Sequence, residues 1–271
     1  MLENITLGQY YPVKSPVHAL DPRVKILLLV AYIVGVFIVP DLTGFVLVAL
    51  YLVIGCRLSR LPVRVLVKGL KPLRLILIFT FILNLFFSGG DTVLLDLGFA
   101  SLTREGLINA VRYSLRLVFL VLGSSLLTLT TAPVTLTDGL ERLLSPLKVI
   151  RFPAHEMAMM MTIALRFIPT LLEEADKIMK AQSARGADFE SGKLFERARA
   201  MVPLLVPLFI SSFRRAGDLA MAMEARCYHG GEGRTRLHVL KVEKRDWIAI
   251  LITVLFLVLV IVEPMLVPWQ V

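Results

Sequence analysis

The chain has 271 residues, 56% of them hydrophobic and only 19% charged, with two cysteines and a mean hydropathy of +0.75. An average soluble domain is roughly 45–50% apolar and about 25% charged, so this is the composition of a membrane protein; disorder, collagen-like repeats and a disulfide scaffold are excluded. Thirty Lys+Arg against 21 Asp+Glu give +9, and so many charges cannot all lie in lipid, so a substantial part of the chain meets water.

The first 23 residues are fairly polar and lack a signal-peptide layout, so the first apolar run is expected to remain in the mature protein. Apolar runs follow from about Val24 to Val39, Leu42 to Cys56, Leu75 to Phe87 and Leu107 to Leu129, and a last one from Trp247 to Val262. Each is near the roughly 20 residues needed to cross a bilayer, which predicts five spans. Between the second and third runs, Arg57, Arg60, Arg64, Lys68, Lys71 and Arg74 stand with no acid among them. The positive-inside bias puts that loop in the cytoplasm, and alternation places the N-terminus inside and the Asp91/Asp96/Glu105 loop outside. Arg112 and Arg116, on one face of the fourth span, are expected to snorkel outward, to mark a helix that starts shallow and tilted, or to line a polar surface against a partner.

Residues 133–246 hold 18 basic and 14 acidic side chains and form the expected soluble part. Within it, Thr135 to Leu144 is amphipathic, with Thr137 or Asp138 able to cap a helix that Pro146 ends. His155 to Ala184 carries apolar residues at helical spacing, and a third helix is predicted from about Phe195 to Arg226. Its apolar middle, Met201 to Ile210, is too short and too rich in proline for a span. Eight of the ten methionines fall between Met157 and Met223, which suits an adaptable interface as well as ordinary packing. Ala184-Arg185-Gly186 and Ala225-Arg226-Cys227 each put one arginine between small residues where a helix stops. Gly186 can take the left-handed conformation that ends a helix, and the arginine fork suits a carboxylate in a groove. Such a residue also serves as a plain C-terminal cap; its repetition at two helix ends points to two similar acidic sockets on two similar partners.

No catalytic, metal or cofactor constellation is present in the sequence. There is no P-loop, His155-Glu156 is not continued as a zinc motif, and no nucleophile elbow exists. A catalytic cluster would have to come from Arg166, Glu173, Glu174 and Arg226 alone. Cys56 and Cys227 read as packing residues in a reducing compartment. The basic excess is better explained by topology and anionic lipid than by nucleic acid. No acid lies deep in the first four spans, which argues against an autonomous secondary carrier or channel, the rival reading.

Several runs carry a family resemblance: His18-Ala19-Leu20-Asp21-Pro22-Arg23-Val24-Lys25, Thr130-Thr131-Ala132-Pro133, Ala164-Leu165-Arg166-Phe167-Ile168-Pro169, Ala181-Gln182-Ser183-Ala184-Arg185-Gly186 and Ala222-Met223-Glu224-Ala225-Arg226. On these the chain resembles the transmembrane T component (EcfT) of energy-coupling factor (ECF) transporters, prokaryotic importers of vitamins and metals. The resemblance implies an all-α membrane protein, with a four-span membrane domain over 1–132, a cytoplasmic domain of long coupling helices over 133–246 and a C-terminal transmembrane helix over 247–271. It implies a non-catalytic subunit in the inner membrane. Two ABC-type ATPases bind the ATP, and a separate membrane-embedded S component binds the substrate. Arg185 and Arg226 are the implied ATPase-docking residues, with Ala184, Gly186, Ala225 and Cys227 as their neighbours. Cys227 stands where the family usually has glycine, which puts that backbone turn in question, though Gly230 and Gly231 could provide the reversal.

Overall fold

Asp21-Pro22 starts the first helix as sequence rules anticipate. Proline occupies the first turn, and the Asp21 carboxylate accepts from the Arg23 backbone N–H at 2.9 Å. The computed structural model describes residues 10–88, 92–96, 101–187, 189, 195, 201–231 and 240–266. The helices are α1 (Pro22–Ile38), α2 (Gly44–Ser59), α3 (Val63–Lys68), α4 (Arg74–Phe87), α5 (Arg104–Thr130), α6 (Pro133–Leu144), α7 (Ala154–Ala184), α8 (Val202–Ala225) and α9 (Lys244–Leu266). A short 3-10 helix over Ser145–Ile150 follows α6. Among the described residues the chain is thus all-α except for one antiparallel hairpin, β1 (Val93–Asp96) with β2 (Ser101–Thr103), between α4 and α5.

Each apolar run expected to enter the membrane is a helix. Two of them, Arg104–Thr130 and Lys244–Met265, are long and apolar enough to cross a bilayer. The other three, α1, α2 and α4, have 17, 16 and 14 residues. At 1.5 Å per residue they reach only about 20–25 Å, short of the roughly 30 Å hydrocarbon thickness. α6 begins a turn earlier than expected. Proline suits a first helical position, so the helix starts at Pro133, and Thr137 lies inside it with its hydroxyl donating to the Val134 carbonyl at 2.6 Å. The predicted start of the third long helix, at Phe195, falls in a stretch partly outside the described residues.

The chain forms two compact units. One comprises Gly8–Gly139 with Leu240–Val271, and its core is Tyr32, Val36, Val39, Phe45, Val48, Leu52, Phe256 and Val260, from α1, α2 and α9. Tyr51 and Phe256 stack there at 4.6 Å between ring centroids. Around this core the outer surface is apolar. α4 has no buried residue, and its Leu75 and Phe87 are 76% and 74% exposed. A helix greasy on every side and open to water would be a large liability, so this surface requires lipid or a partner. The other unit, Leu140–Val239, is built on α7 packed against α8.

Arg112 and Arg116 both find acceptors within the chain. Arg112 donates to the Pro40 carbonyl at 2.9 Å and Arg116 to the Val39 carbonyl at 2.8 Å. They satisfy backbone oxygens left over where α1 ends, where the helix dipole also favours a cation.

Candidate functional site

The two arginine runs sit at helix ends of the same construction. At the end of α7, Gly186 adopts φ +90°, its N–H donates to Ser183 O at 3.0 Å, and Ala187 N–H donates to Gln182 O at 3.0 Å. At the end of α8, Cys227 adopts φ +54°, its N–H donates to Glu224 O at 2.8 Å, and Tyr228 N–H donates to Met223 O at 3.1 Å. Both are Schellman caps, with Arg185 and Arg226 as the residues at which helical geometry ends. Cys227 therefore makes the cap turn itself, and Gly230, at φ +97°, adds a second left-handed position three residues later. The two hydrogen bonds of the cap hold an L-residue in a left-handed conformation that costs roughly 1–2 kcal/mol.

Ala184, Arg185, Gly186, Ala225, Arg226 and Cys227 are all exposed. Neither guanidinium has an ion-pair or hydrogen-bond partner among the described residues, so both remain available to an external acceptor. Cys56 is half-buried, and both thiols are free.

Two long-range contacts fix how α7 and α8 run. Arg215 Nη2 donates to Glu174 Oε2 at 2.8 Å, and the Ser211 hydroxyl with this guanidinium holds the Glu174 carboxyl below the usual carboxylate range. At the start of α7, His155 Nδ1 lies 2.9 Å from Glu141 Oε1 of α6, and its Nε2 lies 3.5 Å from the Tyr228 hydroxyl, just past the α8 cap. Gly231 lets the chain lie flat on this ring, since a Cβ there would stand 2.4 Å from His155 Cδ2. Residues 155 and 174 of α7 thus meet residues 228 and 215 in reverse order, and the helices run in opposite senses. Arg185 follows Glu174 by eleven residues and Arg226 follows Arg215 by eleven. Each tip therefore projects about 16 Å from the bridge, in opposing directions, roughly 25–35 Å apart depending on the crossing angle. The equal offsets were present in the sequence as two charged residues; the His155 contact left no local signal.

The His18–Lys25 run and Thr130-Thr131 serve another purpose. Asp21 pairs with Arg23 at 2.7 Å, and the Asp21 N–H donates to Asp246 Oδ1 at 2.8 Å. Lys25 Nζ, on a side chain only 6% exposed, donates to His18 O, Thr130 O and Thr131 Oγ1 at 3.0–3.2 Å. Asp246, 1% exposed, also accepts from Glu243 N–H at 2.7 Å. The network ties the segment before α1, the end of α5 and the start of α9 together, so these runs hold the membrane unit rather than a ligand.

α8 presents the opposite surface chemistry. None of its residues is buried, and Leu205, Val206, Phe209, Ile210 and Phe213 are each more than half exposed.

Residues 13–239 match the family described as cobalt transport protein, CbiQ. The chain is 56% identical to the energy-coupling factor transporter transmembrane protein EcfT of Clostridium kluyveri over 92% of its own length and 93% of that protein's. It is 53% identical to the EcfT protein of Thermosediminibacter oceani, covering 93% and 95%. With the EcfT protein of Bacillus subtilis it shares 49% identity over 87% and 89%.

Proposed function

The chain belongs to the family of energy-coupling factor transporter transmembrane proteins, and on that premise we propose that it is the energy-coupling scaffold of an ECF-type importer in the inner membrane of a prokaryote. In this reading α1, α2, α4, α5 and α9 are the five membrane segments, the three shorter ones spanning where the bilayer is locally thinned or tilted around the unit. The N-terminus and the unit built on α7 and α8 lie in the cytoplasm, in keeping with the unopposed positives of the Arg57 to Arg74 loop. Arg185 and Arg226 dock into acidic grooves on two ABC-type ATPases, which bind and hydrolyse the ATP. Movement of the ATPases shifts the two helices and is passed to a separate S component that carries the vitamin or metal. The exposed apolar face of α8 suits contact with lipid or with that component.

The observation that carries the proposal is the pair of congruent caps. Two exposed, unpartnered arginines stand at equal distance from a single interhelical salt bridge, on tips pointing opposite ways. One such arginine is a capping residue; two, set apart by a span comparable to a protein domain, fit a pair of separate subunits.

Copurification in mild detergent tests it. Arg185→Ala with Arg226→Ala leaves folding within about 0.5 kcal/mol, because both side chains are exposed and have no ion-pair or hydrogen-bond partner among the described residues. Each loss removes a charge-assisted interface contact of about 2–5 kcal/mol, or roughly 30- to several-thousand-fold in affinity. Undiminished recovery of two ATPases with the double variant, identified by mass spectrometry, overturns the assigned roles. Substrate uptake by the purified chain alone in liposomes overturns the scaffold reading itself.

A further inference from the structure

We propose that the membrane unit holds one anionic phospholipid at a built site, with its phosphate in a basic cleft and an acyl chain in an adjoining apolar groove. The cleft is lined by Tyr10, Lys14, His18, Arg60 and Arg245 and contains no carboxylate in its lining. Lys14 and Arg60 are exposed and have no carboxylate partner among the described residues; Arg245 shares its charge with Glu243. Arg60 ends α2 at φ +55°, a position where glycine is the ordinary residue, so a cation is placed at the cleft against local preference.

An apolar groove lies beside the cleft, lined by residues that alternate with the cleft's own along the chain. It is walled by Val17, Leu20, Leu58, Leu126 and Leu127 and reaches inward between α1, α2, α5 and α9. In the turn before α1, Pro16, His18 and Ala19 line the cleft while Val17 and Leu20 line the groove, and at the end of α2 Leu58 of the groove stands two residues before Arg60 of the cleft. Lys25 also borders the groove, but the three hydrogens of its ammonium are committed to His18, Thr130 and Thr131. The anion is therefore left to Lys14 and Arg60. An occupant must carry a phosphate-like charge at one end and an unbroken apolar tail at the other. Tyr10, Tyr11 and Trp247, exposed at this same end, mark the headgroup level of a bilayer. That combination selects a phospholipid of the leaflet on the side of the basic loop over a soluble anion or a peptide.

The inference rests on the membrane placement of this unit and not on the docking roles of Arg185 and Arg226. The test uses the full-length chain purified in detergent and exchanged into nanodiscs of phosphatidylglycerol or phosphatidylcholine, with retained lipid read by native mass spectrometry. At about fivefold for each cation, wild type prefers phosphatidylglycerol by roughly 25-fold, and Lys14→Gln/Arg60→Gln lowers the preference to about twofold or less. A control losing equal charge at the same end, Lys241→Gln/Lys244→Gln, keeps the wild-type preference. An equal fall in the control overturns the site in favour of diffuse attraction, and displacement of the lipid by millimolar inorganic phosphate overturns the lipid in favour of a free anion. Retained ATPases with Lys14→Gln/Arg60→Gln separate this result from any failure of the docking proposal.

Discussion

Gly186→Ala isolates the cap from the arginine beside it. At φ +90° the native residue lies beyond the left-handed minimum that an L-residue can occupy, and a Cβ built there meets nothing within 4 Å. The cost is therefore backbone alone, at about 1–2 kcal/mol, and sterics with neighbours contribute nothing. That energy is charged against two hydrogen bonds, Gly186 N–H to Ser183 O and Ala187 N–H to Gln182 O. Opening of the last turn becomes roughly 5- to 30-fold more frequent, and Arg185 loses its fixed starting point. Hydrogen exchange over residues 182–187, read by mass spectrometry on the detergent-solubilised chain, should quicken by that factor, with the rest of α7 unchanged. ATPase affinity should fall by a similar factor at this tip. The partner helix supplies the opposite sign: Cys227→Gly relieves a non-glycine residue at φ +54° and should slow exchange over residues 223–228. Unchanged exchange in Gly186→Ala would refute the cap as the element that positions the arginine.

Asp246→Asn leaves the shape of a buried carboxylate but presents an amide hydrogen to one of two backbone donors, Asp21 N–H and Glu243 N–H. A loss of about 2–5 kcal/mol is expected, read as a melting temperature lower by roughly 5–15 °C in detergent. Because the Glu174 carboxyl titrates below its usual 4.5, its pairing with Arg215 stabilises α7 against α8 above that pH. The stabilisation is lost as pH falls through the depressed value; Glu174→Gln should abolish this acid-side dependence in exchange measurements on both helices. Arg116→Met removes the donor to Val39 O and should lower thermal stability by about 1.5–3 kcal/mol, whereas an exposed control such as Arg151→Met should stay within about 0.5 kcal/mol.

The candidate site was legible because its signals are local. A small residue, an arginine and a glycine after a helical run specify a cap whatever the rest of the chain does. The turn at Cys227 was not legible, because residue preference for the left-handed region is statistical, whereas the cap's hydrogen bonds to the Glu224 and Met223 carbonyls hold a cysteine there. The contacts of Arg112 and Arg116 were hidden for a different reason. Their partners are the carbonyls of Val39 and Pro40, more than seventy residues away, and no periodicity within α5 reveals them. The number of membrane segments was less sharp than the positions of the helices, since hydropathy locates an apolar run but helix ends are set by caps and turns.

The sequence by itself determined that the chain is a mainly helical membrane protein, roughly where its helices lie, and which two arginines end the long ones. Those properties follow from composition, 3.6-residue periodicity and capping, all of which act within one or two turns. Only the tertiary structure decided that α7 and α8 run in opposite senses, that their arginine tips therefore stand apart, and that Lys25 and Asp246 tie the membrane unit together. These outcomes depend on which distant groups meet, as Glu174 meets Arg215 and His155 meets Tyr228, and pairing over such separations is set by the packing of whole helices.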